Sequence, residues 1–80
     1  MLFMDIFTWK SEERDEVFKR GDTEKIPEGV KVLGDYIDIG GGRTFRLVDV
    51  ADSDAFLAMT SFWTDLGSKE IVPVIKAEEK

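Results

Sequence analysis

The sequence predicts a small α+β domain with the element order β-α-β-β-α-β. Three observations carry this. Apolar runs rich in Phe, Ile and Val stand at residues 1–9 and 71–75, and such runs bounded by turn residues read as buried strands. Two further strand-like runs flank Gly40-Gly41-Gly42, the mark of a hairpin. Two stretches between strands carry helix signals at their ends.

The first strand, residues 1–9, is apolar at almost every position, so both its faces are expected to be covered and it belongs in the middle of a sheet. Asp5 is its one charge; a carboxylate inside a layer requires a partner or water. Residues 11–20 follow as a helix. Ser11 is placed to cap it, acids crowd the first turn, Lys19 and Arg20 sit at the far end, and Gly21 offers a stop. Its apolar face is thin, Val17 and Phe18, so it is expected at the surface with its acids in solvent. Ile26-Pro27-Glu28-Gly29 is a turn, proline fixing one backbone angle and glycine supplying the positive one.

Residues 30–39 alternate partially and read as a strand. Gly34 inside it marks a bulge or a close backbone approach, and Lys31, Asp35 and Asp38 suit a sheet edge. The triple glycine that follows is not a phosphate loop: no Gly-Lys-Ser/Thr is present, and the next element is a strand with no helix N-terminus to hold an anion. That strand, residues 43–50, puts Phe45 and Leu47 on one face and Arg46, Val48 and Val50 on the other. Arg46 is the counterpart of Asp5, and side-chain parity allows the two to pair if their strands are neighbours. Asp52-Ser53-Asp54 caps a second helix, carried by Ala55, Phe56, Met59, Thr60, Phe62, Trp63 and Leu66 at helical spacing and ended by Gly67. The last strand, residues 71–75, contains Pro73, which cannot donate to a ladder and so predicts an edge. Residues 76–80 form a polar tail.

Two split β-α-β units with right-handed crossovers give a four-stranded antiparallel sheet of spatial order 4-1-3-2 with both helices on one face, the ferredoxin-like arrangement, spanning residues 1–80 as one domain. Helices cover only one face of that sheet. The alternation then leaves Phe3, Phe7, Val48, Val50 and part of the last strand on the uncovered face, and apolar patches of that kind are seldom left bare. The expected remedy is a second copy packed face to face across a two-fold axis, giving a dimeric α/β barrel and enlarging a core that is small at 80 residues.

Composition narrows the chemistry. There are no cysteines and no histidines, which removes disulfides, thiolate zinc sites, imidazole-ligated haem and any Cys-His or Ser-His-Asp catalytic arrangement. A cysteine-free chain fits a reducing compartment, and the cytoplasm is the expected location. The net charge of −6, with Lys and Arg scattered among acids, argues against nucleic acid and against anionic membrane surfaces. No apolar run approaches the ~20 residues of a membrane span, and residues 1–9 lack the basic leader and cleavage site of a signal peptide. The pairs Asp35/Asp38 and Asp52/Asp54 lack the spacing of a calcium loop, so no metal site is expected. Nothing in the sequence calls for a cofactor.

Five anchors, Met1-Leu2-Phe3-Met4, Ile26-Pro27-Glu28-Gly29-Val30, Phe45-Arg46-Leu47-Val48-Asp49, Trp63-Thr64-Asp65-Leu66 and Glu70-Ile71-Val72-Pro73-Val74, together span nearly the whole chain. In their order and spacing the chain resembles a family of short dimeric α/β-barrel proteins of unknown function. The triple-glycine hairpin and Arg46 depart from that family's pattern. The resemblance implies the fold and the homodimer and supplies no catalytic residues. Two classes of function stay open. One is a small-molecule binding or sensing module, or a structural subunit. The other is a cofactor-free oxygenase or isomerase, by analogy of fold with the antibiotic-biosynthesis monooxygenases. Candidate ligand-contacting residues are Asp5, Tyr36, Arg46, Asp49 and Trp63, with Asp5 as a base and Arg46 as the stabiliser of an enolate in the second reading. Against this stands a purely structural role for Asp5 and Arg46, as an ion pair in the dimer interface. An enzyme of this type requires an enclosed pocket of roughly 300 Å3 or more reaching Asp5 or Trp63.

Overall fold

Strand β1, Leu2–Trp9, lies at the centre of the sheet in the computed structural model, which describes residues 1–80. A 3-10 turn, Ser11–Glu13, leads into helix α1, Arg14–Asp22. Strands β2, Val30–Asp38, and β3, Arg43–Val50, form the hairpin across the glycine loop. Helix α2, Ser53–Thr60, strand β4, Gly67–Pro73, and a 3-10 turn, Ala77–Glu79, complete the chain. The strands pair antiparallel in the order β2-β3-β1-β4, an open sheet with β2 and the proline-bearing β4 at its edges. This is the ferredoxin-like arrangement.

Two local expectations hold in detail. The Asp52 side chain caps α2, accepting a hydrogen bond from the Ala55 N–H at 2.9 Å. At Gly34 the bulge reading holds: the register slips between Val32 and Gly34, and the group lying against the glycine is a side chain, Tyr36, whose Cε2 would stand 2.9 Å from a Cβ there. The Tyr36 ring lies over the bare glycine backbone of an edge strand and shields it.

Others are corrected. Ser11 caps nothing, because the chain enters through a 3-10 turn, and α1 runs through Gly21 to Asp22. Helix α2 stops at Thr60, well before Gly67. Residues 61–66 turn instead, with Trp63 at φ +76°. Gly67 is the first residue of β4, which therefore begins four residues before Ile71. It pairs with Trp9, and its α-carbon is pressed so close to the Thr8 carbonyl that no side chain fits.

The largest correction concerns the faces of the sheet. Phe3, Asp5, Phe7 and Trp9 of β1 point toward the helices, together with Val48 and Val50 of β3. The core has two parts on this side. Phe7, Trp9, Val17, Trp63 and Leu66 pack beneath α1. Val48, Val50, Ala55 and Met59 pack beneath α2, with Phe3, Phe56 and Ile71 against them. The uncovered face carries the opposite parity: Leu2, Met4 and Ile6, with Leu47 and Phe45 opposite Met4 and Ile6 on β3, and Val72 opposite Met4 on β4. It is still apolar, but the residues differ from those expected. A strand apolar on both sides does not itself say which side the helices take; the crossovers decide it.

Candidate functional site

One row of side chains breaks the apolar surface beneath the helices. Asp35 of β2 stands opposite Arg46 of β3, which stands opposite Asp5 of β1, so charge alternates across three strands. Lys69 of β4, opposite Phe7, completes the row on the diagonal. The row runs between the two halves of the core.

Asp5 and Arg46 are neighbours in register, yet neither relies on the other, and they lie beneath the helices, away from any interface on the open face. Asp5 Oδ2 pairs with Lys69 Nζ at 3.3 Å, the side chains being 6% and 9% exposed. Lys69 also donates to the Met59 carbonyl at the end of α2 at 3.0 Å, where the helix dipole favours a cation. Arg46 forms a two-pronged pair with Glu24 at 3.0 Å on each prong and a third bond to Asp35 at 2.9 Å. Burial works against the Arg46 charge, but hydrogen bonds and charges of Glu24 and Asp35 outweigh it and raise its pKa above the usual arginine value.

Glu24 lies on the segment 23–29 between α1 and β2 and reaches back under the helix. Burial alone would raise its pKa. The hydrogen bonds from Arg46 and from Trp63 Nε1 at 3.2 Å, with the positive charges of Arg46 and Lys69, together hold it below the usual carboxylate value. Trp63 is in turn held by Phe7, ring centroids 5.5 Å apart, and by the Arg20 guanidinium, 5.6 Å from its ring. Arg20 is itself forked onto Asp65 at 2.8 and 3.0 Å. A positive φ is uncommon for a bulky residue and persists only where its surroundings over-determine it. Here the indole is fixed by a ring, a cation and a carboxylate.

These groups surround a cleft of about 450 Å3 between α1 and the sheet. Phe7, Val17, Phe18, Ile37 and Trp63 form its apolar wall; Asp5, Glu24, Thr44, Arg46 and Lys69 form its polar floor and side. The cleft reaches both Asp5 and Trp63 and is large enough for a small molecule, but it is open to solvent on one side and is not the enclosed pocket an enzyme of this type requires. Beside the cleft, Asp5 Oδ1 is buried and has no hydrogen-bond partner among the protein's groups. Such a group is costly to leave unmade and rare in a folded chain.

Of the five residues singled out from the sequence, Asp5, Arg46 and Trp63 line this cleft. Tyr36 does not: it projects from the other face, 65% exposed. Nor does Asp49, whose carboxylate pairs with the Met1 ammonium at 2.9 Å. Two residues of the site escaped sequence reasoning. Glu24 sits in a polar connection with the pattern of a solvated loop, and Lys69 in a stretch that reads as a link before the last strand. No group of three or more metal-ligating side chains is gathered anywhere in the chain, and no helix is long and apolar enough to cross a membrane.

No curated protein and no solved structure matches the chain. Its match is to DUF3303, a domain of unknown function, over residues 1–80. Since that match runs the length of the chain, the protein belongs to the DUF3303 family.

Proposed function

We propose that the protein is a small-molecule-binding module acting as a homodimer. The observation that carries the binding reading is the cleft between α1 and the sheet. Its volume of about 450 Å3 lies within the range of small-molecule sites, and like them it has an apolar wall with a few convergent polar groups. The dimer reading is supported by the open face, where Leu2, Met4, Ile6, Phe45, Leu47 and Val72 are only partly covered and Tyr36 stands in solvent. Two such faces stacked across a two-fold axis form the barrel. A cytoplasmic setting belongs to the same reading, supported by the cysteine-free composition.

The test is a fragment titration followed by amide and indole NMR signals. Binding at the cleft shifts Phe7, Thr44 and the Trp63 Nε1–H and leaves Tyr36 unmoved. A broad library that moves none of the cleft signals sinks the proposal and returns the chain to a structural role.

A second reading, a cofactor-free oxygenase or isomerase related to the antibiotic-biosynthesis monooxygenases, draws on the same cleft. Asp5 lines the cleft and is the carboxylate assigned to take a proton from a bound substrate. Arg46 is engaged by Glu24 and Asp35, and Lys69 by Asp5 and the Met59 carbonyl, so stabilising the oxyanion that forms requires one of the two cations to leave a partner. Under this reading Asp5→Asn abolishes turnover of an enolisable or phenolic substrate while the cleft still binds it. Turnover that survives the substitution removes Asp5 as the base.

A further inference from the structure

Three donors in the wall of the cleft converge on one carboxylate. Both prongs of the Arg46 guanidinium, each at 3.0 Å, and the Trp63 indole N–H at 3.2 Å meet at Glu24, and all three residues line the cleft. A planar fork with a further N–H beside it matches a planar anion. The donors are firmly built. Arg46 stands on an inner strand of the sheet and is braced by Asp35 at 2.9 Å. Trp63 keeps its φ of +76°, which a bulky residue holds only under constraint, with Phe7 and the Arg20 guanidinium against its ring. The anion is held less firmly by its own backbone. Glu24 belongs to the irregular segment 23–29, its N–H reaches the Gly21 carbonyl only at 3.4 Å, and neither Lys25 nor Ile26 makes a backbone hydrogen bond.

We infer that Arg46 and Trp63 form a carboxylate subsite which the chain itself fills with Glu24 when no ligand is bound, and that the cleft takes a flat apolar monocarboxylate that enters as Glu24 leaves. This rests on the binding reading above and names the ligand class for that same site. The exchange puts one carboxylate in place of another, so the charge around Arg46 and Asp35 is unaltered, and Glu24 regains the water that the ligand gives up. An anion added beside a docked Glu24 has no such balance, since Asp5, Asp22 and Asp35 also face the cleft. A neutral ligand leaves Glu24 in place and gains only the apolar wall. That wall, with Phe7, Phe18 and Trp63 in it, suits an aromatic body carrying its acid at one end. Because Glu24 occupies the subsite, the affinity of an acidic ligand is reduced in proportion to the fraction of molecules in which Glu24 is out.

Two probes of one shape test this: 2-naphthoate, an anion, and 2-naphthamide, its neutral counterpart. Affinities are read on the full chain from NMR shifts of the Trp63 Nε1–H and Thr44 signals. Glu24→Ala, or Glu24→Gln should the alanine variant not fold, empties the subsite of its charge. It is expected to bind naphthoate about tenfold or more tightly than the wild type does, and about tenfold more tightly than it binds naphthamide, whose affinity stays nearly unchanged. Glu24→Ala/Arg46→Met removes both members of the pair and is expected to return naphthoate to the level of naphthamide. In the wild type, naphthoate is expected to shift the Lys25 and Ile26 amides as their segment moves out, and naphthamide to leave them in place. A purely structural Glu24 gives none of these responses. Naphthoate bound no more tightly by the Glu24 variant than by the wild type, or no more tightly than naphthamide, overturns the subsite and leaves the cleft as a binding site. So does a gain that survives the loss of Arg46, or wild-type binding of naphthoate with Lys25 and Ile26 unmoved. Failure of both probes to move the cleft signals in wild type and variant alike overturns the binding reading and this inference with it.

Discussion

Lys69 holds one oxygen of Asp5 and a helix-end carbonyl at once, and both side chains of that pair are more than nine-tenths buried. Removing one partner strands the other. Lys69→Met is therefore expected to destabilise the fold by about 3–5 kcal/mol, while Asp5→Leu/Lys69→Met recovers most or all of the loss, since a buried pair seldom outperforms well-packed apolar groups. Urea denaturation of the two variants checks this, and a double variant as unstable as the single one contradicts it. Glu24 gives a pH signature. Its folded pKa is lowered, so the stability it contributes is complete above its unfolded value of about 4.3 and disappears as pH falls through the lower folded value. Thermal melts from neutral pH downward should show the wild type losing stability in that acid window, and Glu24→Gln should flatten the loss. Asp5 and Arg46 were legible in the sequence because a charge in an apolar strand is conspicuous. Their partners were not: Glu24 and Lys69 look like surface residues until the chain folds them inward.

At the scale of elements, β3 occupies the span its alternation implies and β2 and β1 come within a residue of theirs. The stretch after α2 is the exception. Phe62, Trp63 and Leu66 continue a helical spacing, but Trp63 and Leu66 reach the same core from a turn, with the Leu66 N–H bonded to the Trp63 carbonyl at 3.0 Å. Spacing reports which residues go inward and is silent on the backbone that takes them there. The glycine that closes this stretch was read as a helix stop for its conformational freedom; what it supplies is clearance, since its α-carbon lies against the Thr8 carbonyl. Gly67→Ala is expected to cost about 1–3 kcal/mol or more, the range for forcing atoms into filled space, because backbone cannot swing aside as a side chain does. A midpoint of chemical denaturation unchanged from wild type would show that β4 shifts to accommodate it.

For the whole molecule, the open sheet face sets the expected assembly. Leu47 stands at its middle, between Met4 of β1 and Gly34 of β2. Light scattering is expected to give about twice the 9.1 kDa of one chain, and Leu47→Lys is expected to give a single chain with its fold intact. A wild-type monomer at micromolar concentration removes the dimer without touching the cleft, which lies on the opposite side. The position of β1 has one more outcome, in kinetics. Both strands that pair with it are distant along the chain, Leu2 meeting Asp49 and Phe3 meeting Pro73, whereas the β2–β3 hairpin closes over a few glycines. The hairpin can therefore form early, but the strand on which both halves of the core depend has to wait for long loops to close, so acquisition of the native state is slow for a chain of this length.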